Sequence, residues 1–317
     1  MRQTSVRHLF EFFQESLGLM HVCGPLDRAI EVTGERIWPA DLVGHLNIIH
    51  ASRLQVIGQI EFAWARIQPA DKIAYLLEEV VRNQPPAIVV ADDCEIPPLL
   101  IAQCAKHDIA LLTTKAPCAS VVDQLRLYLS RELAEQSTLH GVFMDVFGLG
   151  VFITGDPGSG KSELALELIS RGHALVADDM VEFSRIAPTE IEGRCPPMLQ
   201  DFLEVRGLGV LNIRTVFGET ACRRTKRLRL VVYLQKRLPG EPEPPRISFE
   251  QQTQDILGVI IPRTTLPVVA GRNLAVLLEA AVRAMILRLR GIDSMQELID
   301  RQQEQMMVAD NGTLPLF

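Results

Sequence analysis

Apolar and polar residues alternate along the first 130 residues with the spacings of helices and strands in turn. Apolar side chains recur at steps of three and four between Thr4 and Leu19, which predicts a helix. Further segments predict, in order, a helix, a strand, a helix, a strand and a helix: Asp71–Asn83, Ala87–Val90, Pro97–Lys106, Ile109–Leu112 and Val121–Leu133. This alternation favours a small α/β domain.

A second pattern begins after the polar stretch Ser130–Thr138. Short β-rich runs predict strands, the first two joined as a hairpin by Gly148-Leu-Gly150: Val142–Val146, Val151–Thr154, Ala174–Ala177, Val181–Phe183 and Leu228–Leu234. Helical spacing predicts an apolar helix over Arg272–Arg290 and a more polar final helix over Ser294–Met307. We therefore expect an α/β protein of two domains. The first comprises residues 1–133 and has a regulatory or assembly role, and the second comprises residues 134–317.

Composition and charge narrow the function classes. The 317 residues are 47% hydrophobic and 22% charged, with a net charge of -7, which is typical of a globular protein. Neither half is basic, so we expect no nucleic-acid binding. The chain shows no signal peptide and no apolar run of membrane-spanning length, so we expect a cytoplasmic protein that binds no membrane. Six cysteines without a C-x-x-C pair favour free thiols over a metal site or disulfides.

The strongest local signal fits the Walker A pattern G-x-x-x-x-G-K-[ST], directly after a predicted strand and before a helical run. Its residues, all predicted to bind nucleotide, are Gly155, Asp156, Pro157, Gly158, Ser159, Gly160, Lys161 and Ser162. Glycines allow backbone N–H groups to turn toward a phosphate, and the helix N-terminus adds a positive dipole end. We expect Lys161 to bridge the β- and γ-phosphates and the Ser162 hydroxyl to bind Mg²⁺.

Three features near this phosphate loop suggest chemistry. Asp178-Asp179 follows an apolar strand, as a Walker B carboxylate does, although a capped turn is the alternative. The span Glu204–Arg214 combines a carboxylate, two arginines and two glycines and is too polar for a strand core. These residues suit a phosphate clamp and a metal ligand, and an irregular turn fits the spacing equally well. His140 precedes the hairpin that leads into the loop and, taken alone, favours a structural role.

Together these segments resemble one family, the bacterial HPr kinase/phosphorylase, also called HPr(Ser) kinase/phosphatase. Besides the phosphate loop, the resemblance is carried by His140-Gly-Val-Phe-Met-Asp-Val-Phe-Gly-Leu-Gly150, Gly172-His-Ala-Leu-Val-Ala-Asp178-Asp179, Glu204-Val-Arg-Gly-Leu-Gly-Val-Leu-Asn212 and Pro267-Val-Val-Ala-Gly-Arg-Asn273. It is dense over residues 140 to 290, and the first half fits the family's length and domain order.

The resemblance implies a phosphate-loop protein kinase that uses ATP and Mg²⁺ to phosphorylate a seryl residue of HPr, a small carrier of the sugar phosphotransferase system. It also implies the reverse reaction, in which inorganic phosphate attacks phosphoserine and pyrophosphate is released. A homo-hexamer is implied as well. The sequence departs from the family pattern at two places, Pro157 in the phosphate loop and the pair Val269-Ala270, and we expect the second departure to affect phosphorolysis more than phosphorylation.

The resemblance also implies roles for individual residues. It assigns His140, Lys161, Asp179 and Arg246 to the active site, and Ser162 and Glu204 to the metal. It assigns to a shared catalytic stretch Leu203, Glu204, Val205, Arg206, Gly207, Leu208, Gly209, Val210, Leu211 and Asn212. It assigns to a dephosphorylation loop Leu266, Pro267, Val268, Val269, Ala270 and Gly271.

Two questions stay open at this point. We expect Asp179 to transfer the serine proton in both directions and Asp178 to lie nearer the metal, with Asp178 as the second candidate for the proton. A phosphate-loop enzyme acting on a small molecule, or a nucleotide-dependent regulatory module, is the alternative to a protein kinase.

Overall fold

The computed structural model describes residues 2–32, 38–236, 252–269, 271–293 and 296–303. The chain forms two compact units, Met1–Glu135 and Gln136–Phe317. Within the described ranges, no helix combines the length and the apolar character needed to cross a membrane.

The N-terminal unit is built around a five-stranded sheet. Its elements are β1 (Gln3–Ser5), α1 (Val6–Phe13), β2 (Met20–Cys23), β3 (Ala29–Glu31), β4 (Val43–His45), β5 (Leu54–Ile57), α2 (Gln59–Arg66), α3 (Ala70–Arg82), β6 (Ala87–Val90), α4 (Pro98–Lys106), β7 (Ala110–Thr113) and α5 (Cys118–Glu132). The strand order is β2-β7-β6-β5-β4, in which β4 to β7 are parallel and β2 is antiparallel. The short strands β1 and β3 pair separately.

Helices cover both faces of this sheet. Buried residues of α1 and α5 pack on one face, and those of α3 and α4 pack on the other. Because the central strands are covered on both sides, all four residues of Ala87–Val90 are buried. The predicted helix over Thr4–Leu19 is shorter than expected, since Gln3–Ser5 forms a strand and the Ser5 hydroxyl caps α1 by accepting from the His8 N–H.

The C-terminal unit contains a nine-stranded mixed sheet. Its elements are β8 (Glu135–His140), β9 (Val142–Val146), β10 (Leu149–Gly155), α6 (Lys161–Ser170), β11 (Ala174–Ala177), β12 (Met180–Ala187), β13 (Glu190–Arg194), β14 (Phe202–Val205), β15 (Gly209–Asn212), α7 (Ile213–Phe217), β16 (Thr225–Lys236), β17 (Thr253–Ile256), β18 (Val259–Val268) and α8 (Leu274–Leu289). Residues 296–303 are helical, while Ser294, Met295 and 304–317 lie outside the described residues.

The strand order is β11-β9-β10-β16-β13-β12-β8, with β18 also paired to β16 and β17 to β18. The predicted hairpin of β9 and β10 is present as an antiparallel pair. Three neighbouring strands, β10, β16 and β18, run parallel. Their carboxyl ends therefore share one edge of the sheet, which is where ligands bind in open α/β folds.

Two cores hold this sheet. On one face, α6 and α8 pack on alternate residues of β9, β10 and β16. On the other face, Phe143, Phe152 and Phe183 make edge-to-face contacts among β9, β10 and β12. The architecture confirms the predicted fold class, an N-terminal α/β unit followed by a unit that carries the phosphate loop.

Candidate active site

The phosphate loop connects the end of β10 to the start of α6, as predicted. Register pairs Gly155 with Leu234 of β16. A Cβ at Gly155 would lie 2.3 Å from the Leu234 carbonyl oxygen, so a larger residue cannot occupy this position without moving β16. Ser159 Oγ is buried and has no hydrogen-bond partner within the described part of the chain. It is therefore available to a ligand in the loop.

The carboxyl end of β16 fixes the other side of the loop. The Tyr233 hydroxyl donates to Asp156 Oδ1 at 3.0 Å, and Lys236 Nζ donates to the Pro157 carbonyl at 2.7 Å. The Asp156 carboxylate raises the pKa of Tyr233, which keeps this hydroxyl a donor. The sequence analysis did not single out Tyr233 or Lys236; Tyr233 lies in the predicted strand Leu228–Leu234, and Lys236 lies two residues after it.

Lys161 is the first residue of α6. Its Nζ lies 3.2 Å from the Gly155 carbonyl oxygen and 3.3 Å from that of Asp156. The ammonium group therefore lies over the loop. Two more cations border it, since Lys236 Nζ and Arg206 Nη1 lie 3.1 and 3.8 Å from the place a Cβ would take on Gly158. Three positive side chains around a ring of backbone amides suit a polyphosphate.

Asp178 follows β11 and is 7% exposed. Its Oδ1 lies 3.5 Å from the Ser162 hydroxyl, and its Oδ2 accepts from the Glu204 N–H at 2.9 Å. Burial raises the pKa of Asp178, and the hydrogen bonds from the Glu204 and Asp179 backbone oppose that rise. The carboxylate thus joins the phosphate loop to the segment that contains Glu204.

Asp179 differs from its neighbour in exposure. Its side chain is 72% exposed, and its Oδ1 lies 3.6 Å from His140 Nδ1, whose side chain is 78% exposed. The Gly141 N–H donates to the Asp179 carbonyl at 3.1 Å, which fixes the end of β8 beside the acidic pair. The structure therefore brings together His140 and Asp179, 39 positions apart in the chain, as a solvent-facing pair.

The shared stretch Leu203–Asn212 is a β-hairpin, β14 paired with β15. The view that this span is too polar for a strand is wrong, because Leu203 and Val205 are buried while Glu204 between them is exposed. Asn212 caps α7 by accepting from the Thr215 N–H at 3.0 Å. The alternation of exposed and buried positions in β14 was the signal for this strand, and β15, which has no buried residue, lacks it.

The two arginines of this span have different surroundings. Arg206 borders the phosphate loop. Arg214 donates to both carboxylate oxygens of Asp201, at 2.8 and 3.2 Å, and to Glu219 at 2.5 Å. Arg214 is therefore held by acidic side chains and does not serve as the second arm of a phosphate clamp.

The segment Leu266–Gly271 follows the phosphate-loop edge of the sheet. Leu266–Val268 forms the last part of β18, paired with the end of β16, so half of the predicted loop is strand. The Arg272 N–H donates to the Val269 carbonyl at 3.2 Å. Ala270 lies outside the described residues, as does Arg246.

Helix α8 begins directly after this segment and is fastened to α6. Asn273 caps α8 and donates from Nδ2 to Glu167 Oε1 at 3.0 Å. Glu279 accepts from Arg171 at 2.7 and 2.6 Å and lies 3.0 Å from His173 Nε2. These hydrogen bonds, first that of Arg171, lower the pKa of Glu279 to about 2. No sequence signal pointed to this network.

Two family models match the chain and between them cover most of it. The HPr Serine kinase N terminus matches residues 4–129, and the HPr Serine kinase C-terminal domain matches residues 131–302. This chain belongs to the HPr serine kinase family. The resemblance found in the sequence is thereby confirmed, and it extends to the N-terminal unit.

Curated relatives span nearly the whole chain. HPr kinase/phosphorylase from Aromatoleum aromaticum is 66% identical over 96% of this chain and 98% of its own. HPr kinase/phosphorylase from an Azoarcus species is 63% identical over 98% and 100%. The solved structure of the Hpr(Ser) kinase/phosphatase from Coxiella burnetii is 32% identical, covers 51% of this chain and 98% of its own, and has a TM-score of 0.45.

Proposed function

We propose that this chain is an ATP-dependent kinase and phosphorylase that acts on a seryl residue of the phosphocarrier protein HPr. The observation that carries the proposal is the meeting of the phosphate loop, the acidic pair Asp178-Asp179 and His140 in one unit. The relatives support it, since a chain 66% identical over 96% of this one is named HPr kinase/phosphorylase.

The nucleotide phosphates bind in the loop Gly155–Ser162. Backbone amides and the N-terminus of α6 face the β-phosphate, and Lys161 leaves its two carbonyl partners to bridge the β- and γ-phosphates. Lys236 and Arg206 border the same loop and stabilise charge that develops on the transferred group. Positioning and charge stabilisation are the main contributions that a phosphoryl-transfer enzyme makes.

The donor set beside the loop suits Mg²⁺. The Ser162 hydroxyl lies 3.5 Å from the Asp178 carboxylate, and the backbone of Glu204 is bonded to that carboxylate. These are hard oxygen ligands, as Mg²⁺ prefers, and a buried carboxylate gains from a neighbouring cation. Ser162 and Glu204 would hold the ion, with Asp178 beside Ser162, and a bound ion would supply positive charge that offsets the charge of the phosphates.

The proton is moved at the exposed carboxylate. In the forward direction Asp179 accepts the proton of the seryl hydroxyl, while the seryl oxygen bonds to the γ-phosphorus and ADP leaves. In the reverse direction an oxygen of inorganic phosphate bonds to the phosphorus of phosphoserine, pyrophosphate forms and Asp179 returns the proton to the leaving serine oxygen. His140, 3.6 Å from Asp179, orients this carboxylate.

The segment Leu266–Gly271 serves the reverse reaction. Its strand residues extend along β16, whose carboxyl end holds the phosphate loop. The family resemblance assigns Arg246 to the same active site. Residues 1–133 have a regulatory or assembly role, the active form is a homo-hexamer, and the protein acts in the cytoplasm with its partner HPr.

Incubation with γ-labelled ATP, with and without purified HPr, tests the proposal. We expect label on a seryl residue of HPr, and release of pyrophosphate when phosphorylated HPr is incubated with inorganic phosphate. The Lys161→Ala variant should lose both reactions, while Lys106→Ala, an exposed lysine on α4, should keep them. Phosphate release without HPr would indicate a small-molecule enzyme instead, and nucleotide binding without turnover would indicate a regulatory module.

A further inference from the structure

Three side chains of metal-ligand type meet in the N-terminal unit. His45 ends β4, Glu61 lies in the first turn of α2 after β5, and Cys118 begins α5 after β7. They are the one set of three His, Cys, Asp or Glu in the described residues whose ligand atoms all lie within 4.8 Å of one another. His45 is the last residue of one parallel strand and the other two follow parallel strands, so all three lie at the carboxyl edge of the sheet, where α/β domains bind ligands.

The distances fit a shared ion. His45 Nδ1 lies 3.5 Å from Glu61 Oε1 and 3.5 Å from Cys118 Sγ. Ligands at about 2.0 Å (N, O) and about 2.3 Å (S) from one tetrahedral zinc ion are about 3.3 to 3.6 Å apart. A direct hydrogen bond between imidazole and carboxylate would bring the two atoms to about 2.9 Å. The spacing of His45 and Glu61 therefore matches shared coordination better than a direct hydrogen bond, and the spacing of His45 and Cys118 is compatible with coordination.

Backbone hydrogen bonds hold two of the ligands in place. Glu61 Oε2 accepts from the Gly58 N–H at 2.9 Å, which leaves Oε1 toward His45. The Asp92 carboxylate accepts from the Cys118 N–H at 2.8 Å and from the Gln59 N–H at 2.8 Å. One carboxylate thus fixes the first turns of both α2 and α5. Hydrogen bonds that hold the residues next to the ligands in place are typical of metal sites.

Gly58 permits the close approach on which the cluster depends. A Cβ at this position would lie 2.7 Å from Cys118 Cβ and 2.4 Å from Asp92 Oδ2. A side chain here would therefore require Asp92 or Cys118 to shift. The absence of a side chain at Gly58, the residue before α2, therefore allows Cys118 and Asp92 to approach the start of this helix.

We propose that His45, Glu61 and Cys118 bind one divalent transition-metal ion, for which Zn²⁺ is the best match. One nitrogen, one oxygen and one sulfur ligand suit zinc better than Mg²⁺ or Ca²⁺, which prefer oxygen alone. Three protein ligands leave the fourth position for water or a further ligand. The His45 side chain is 53% exposed, so the ion is reached from solvent.

The local electrostatics agree with a cation. Burial, followed by the charges of Glu61 and Asp92, raises the pKa of the Cys118 thiol to about 11. The Glu61 carboxylate beside His45 and the Asp92 carboxylate beside the Cys118 N–H place negative charge where a divalent ion would bind.

Cobalt binding to the chelator-stripped full chain tests the proposal, because thiolate-bound Co²⁺ shows a charge-transfer absorption that oxygen-bound Co²⁺ lacks. We expect this absorption to saturate at one Co²⁺ for each chain and to disappear when Zn²⁺ is added. Cys118→Ser should lose the absorption, and His45→Gln should weaken Co²⁺ binding by about tenfold or more. Cys23→Ser and His50→Gln, the same residue types outside the cluster, should behave as the unmodified chain does.

Absence of the charge-transfer absorption in the unmodified chain overturns the proposal. So does unchanged Co²⁺ affinity in His45→Gln, or loss of the absorption in either control variant. Because Cys118 is buried, circular dichroism checks that Cys118→Ser is folded; if it is not, the variant at the exposed His45 carries the test alone.

Discussion

Replacing Glu279 by glutamine tests how α8 is fastened to the phosphate-loop helix. The carboxylate accepts two hydrogen bonds from Arg171, which follows α6, and contacts the buried His173. Glutamine keeps the size of the side chain and removes its charge. Because a buried histidine and an arginine lose their anionic partner, we expect the C-terminal unit to become less stable.

The size of the effect follows from the lowered pKa. The pKa of Glu279 is about 2, against an ordinary value of 4.5. This difference limits the contribution of the Glu279 charge to the free energy of unfolding at neutral pH to about 3 kcal/mol. Arg171 is 38% exposed, so water screens part of the attraction, and we expect a loss of about 1 to 2 kcal/mol. Because the folded pKa is the lower one, this stability is present above pH 4.5 and is lost as the pH falls toward 2.

Urea unfolding followed by circular dichroism, with hydrogen exchange of α6 and α8 peptides, measures the change. We expect a lower midpoint and faster exchange in both helices at pH 7, and a smaller difference from the unmodified chain at pH 3. Glu78→Gln is the control, since its partner Arg82 is one turn away and both side chains are more than half exposed. Equal midpoints for Glu279→Gln and the unmodified chain at pH 7 would refute the reasoning.

The remaining predictions concern the reaction. Lys161→Ala should reduce the rates of phosphorylation and phosphorolysis by far more than tenfold, where tenfold corresponds to about 1.4 kcal/mol. A loss of less than tenfold in either rate would exclude a shared phosphate site. Asp179→Asn should slow both reactions while nucleotide affinity, measured by calorimetry, stays constant; if one direction is spared, Asp178 becomes the candidate base. Glu204→Gln should raise the Mg²⁺ concentration at half-maximal rate, and an unchanged titration would contradict a ligand role. Substitutions in Val268–Arg272 should slow phosphorolysis more than phosphorylation, which paired rate measurements check.

Local patterns were predictable from the sequence because neighbouring residues determine them. The phosphate loop needs only eight consecutive residues between a strand and a helix, and the structure has both. The basic run from Arg223 to Arg229 illustrates the limit. In this run Lys226 donates a hydrogen bond to Asp145, and Arg227 donates one to Glu190. Partners 81 and 37 positions away leave no local pattern.

Large separations in sequence also explain why contacts at the sites were not predicted. Free thiols were expected, and the six cysteines are free, but Cys118 lies 3.5 Å from His45. The two are 73 positions apart, so no ligand spacing was visible. Likewise, Arg171 donates a hydrogen bond to Glu279, which lies 108 positions further along the chain. Strand β14 is different, because its alternation of exposed and buried residues was present in the sequence and the polar residues that follow concealed it.

The long strand β16 has a consequence for how the C-terminal unit unfolds. Its first residues, Thr225–Arg227, are antiparallel to β13, while Leu228–Leu234 is parallel to β10 and its end also pairs with β18. Fraying of β12 and β13 therefore exposes the same strand that supports the phosphate loop. We expect these strands to exchange their amide hydrogens in one cooperative step, so that nucleotide bound in the loop slows exchange in β13 as well.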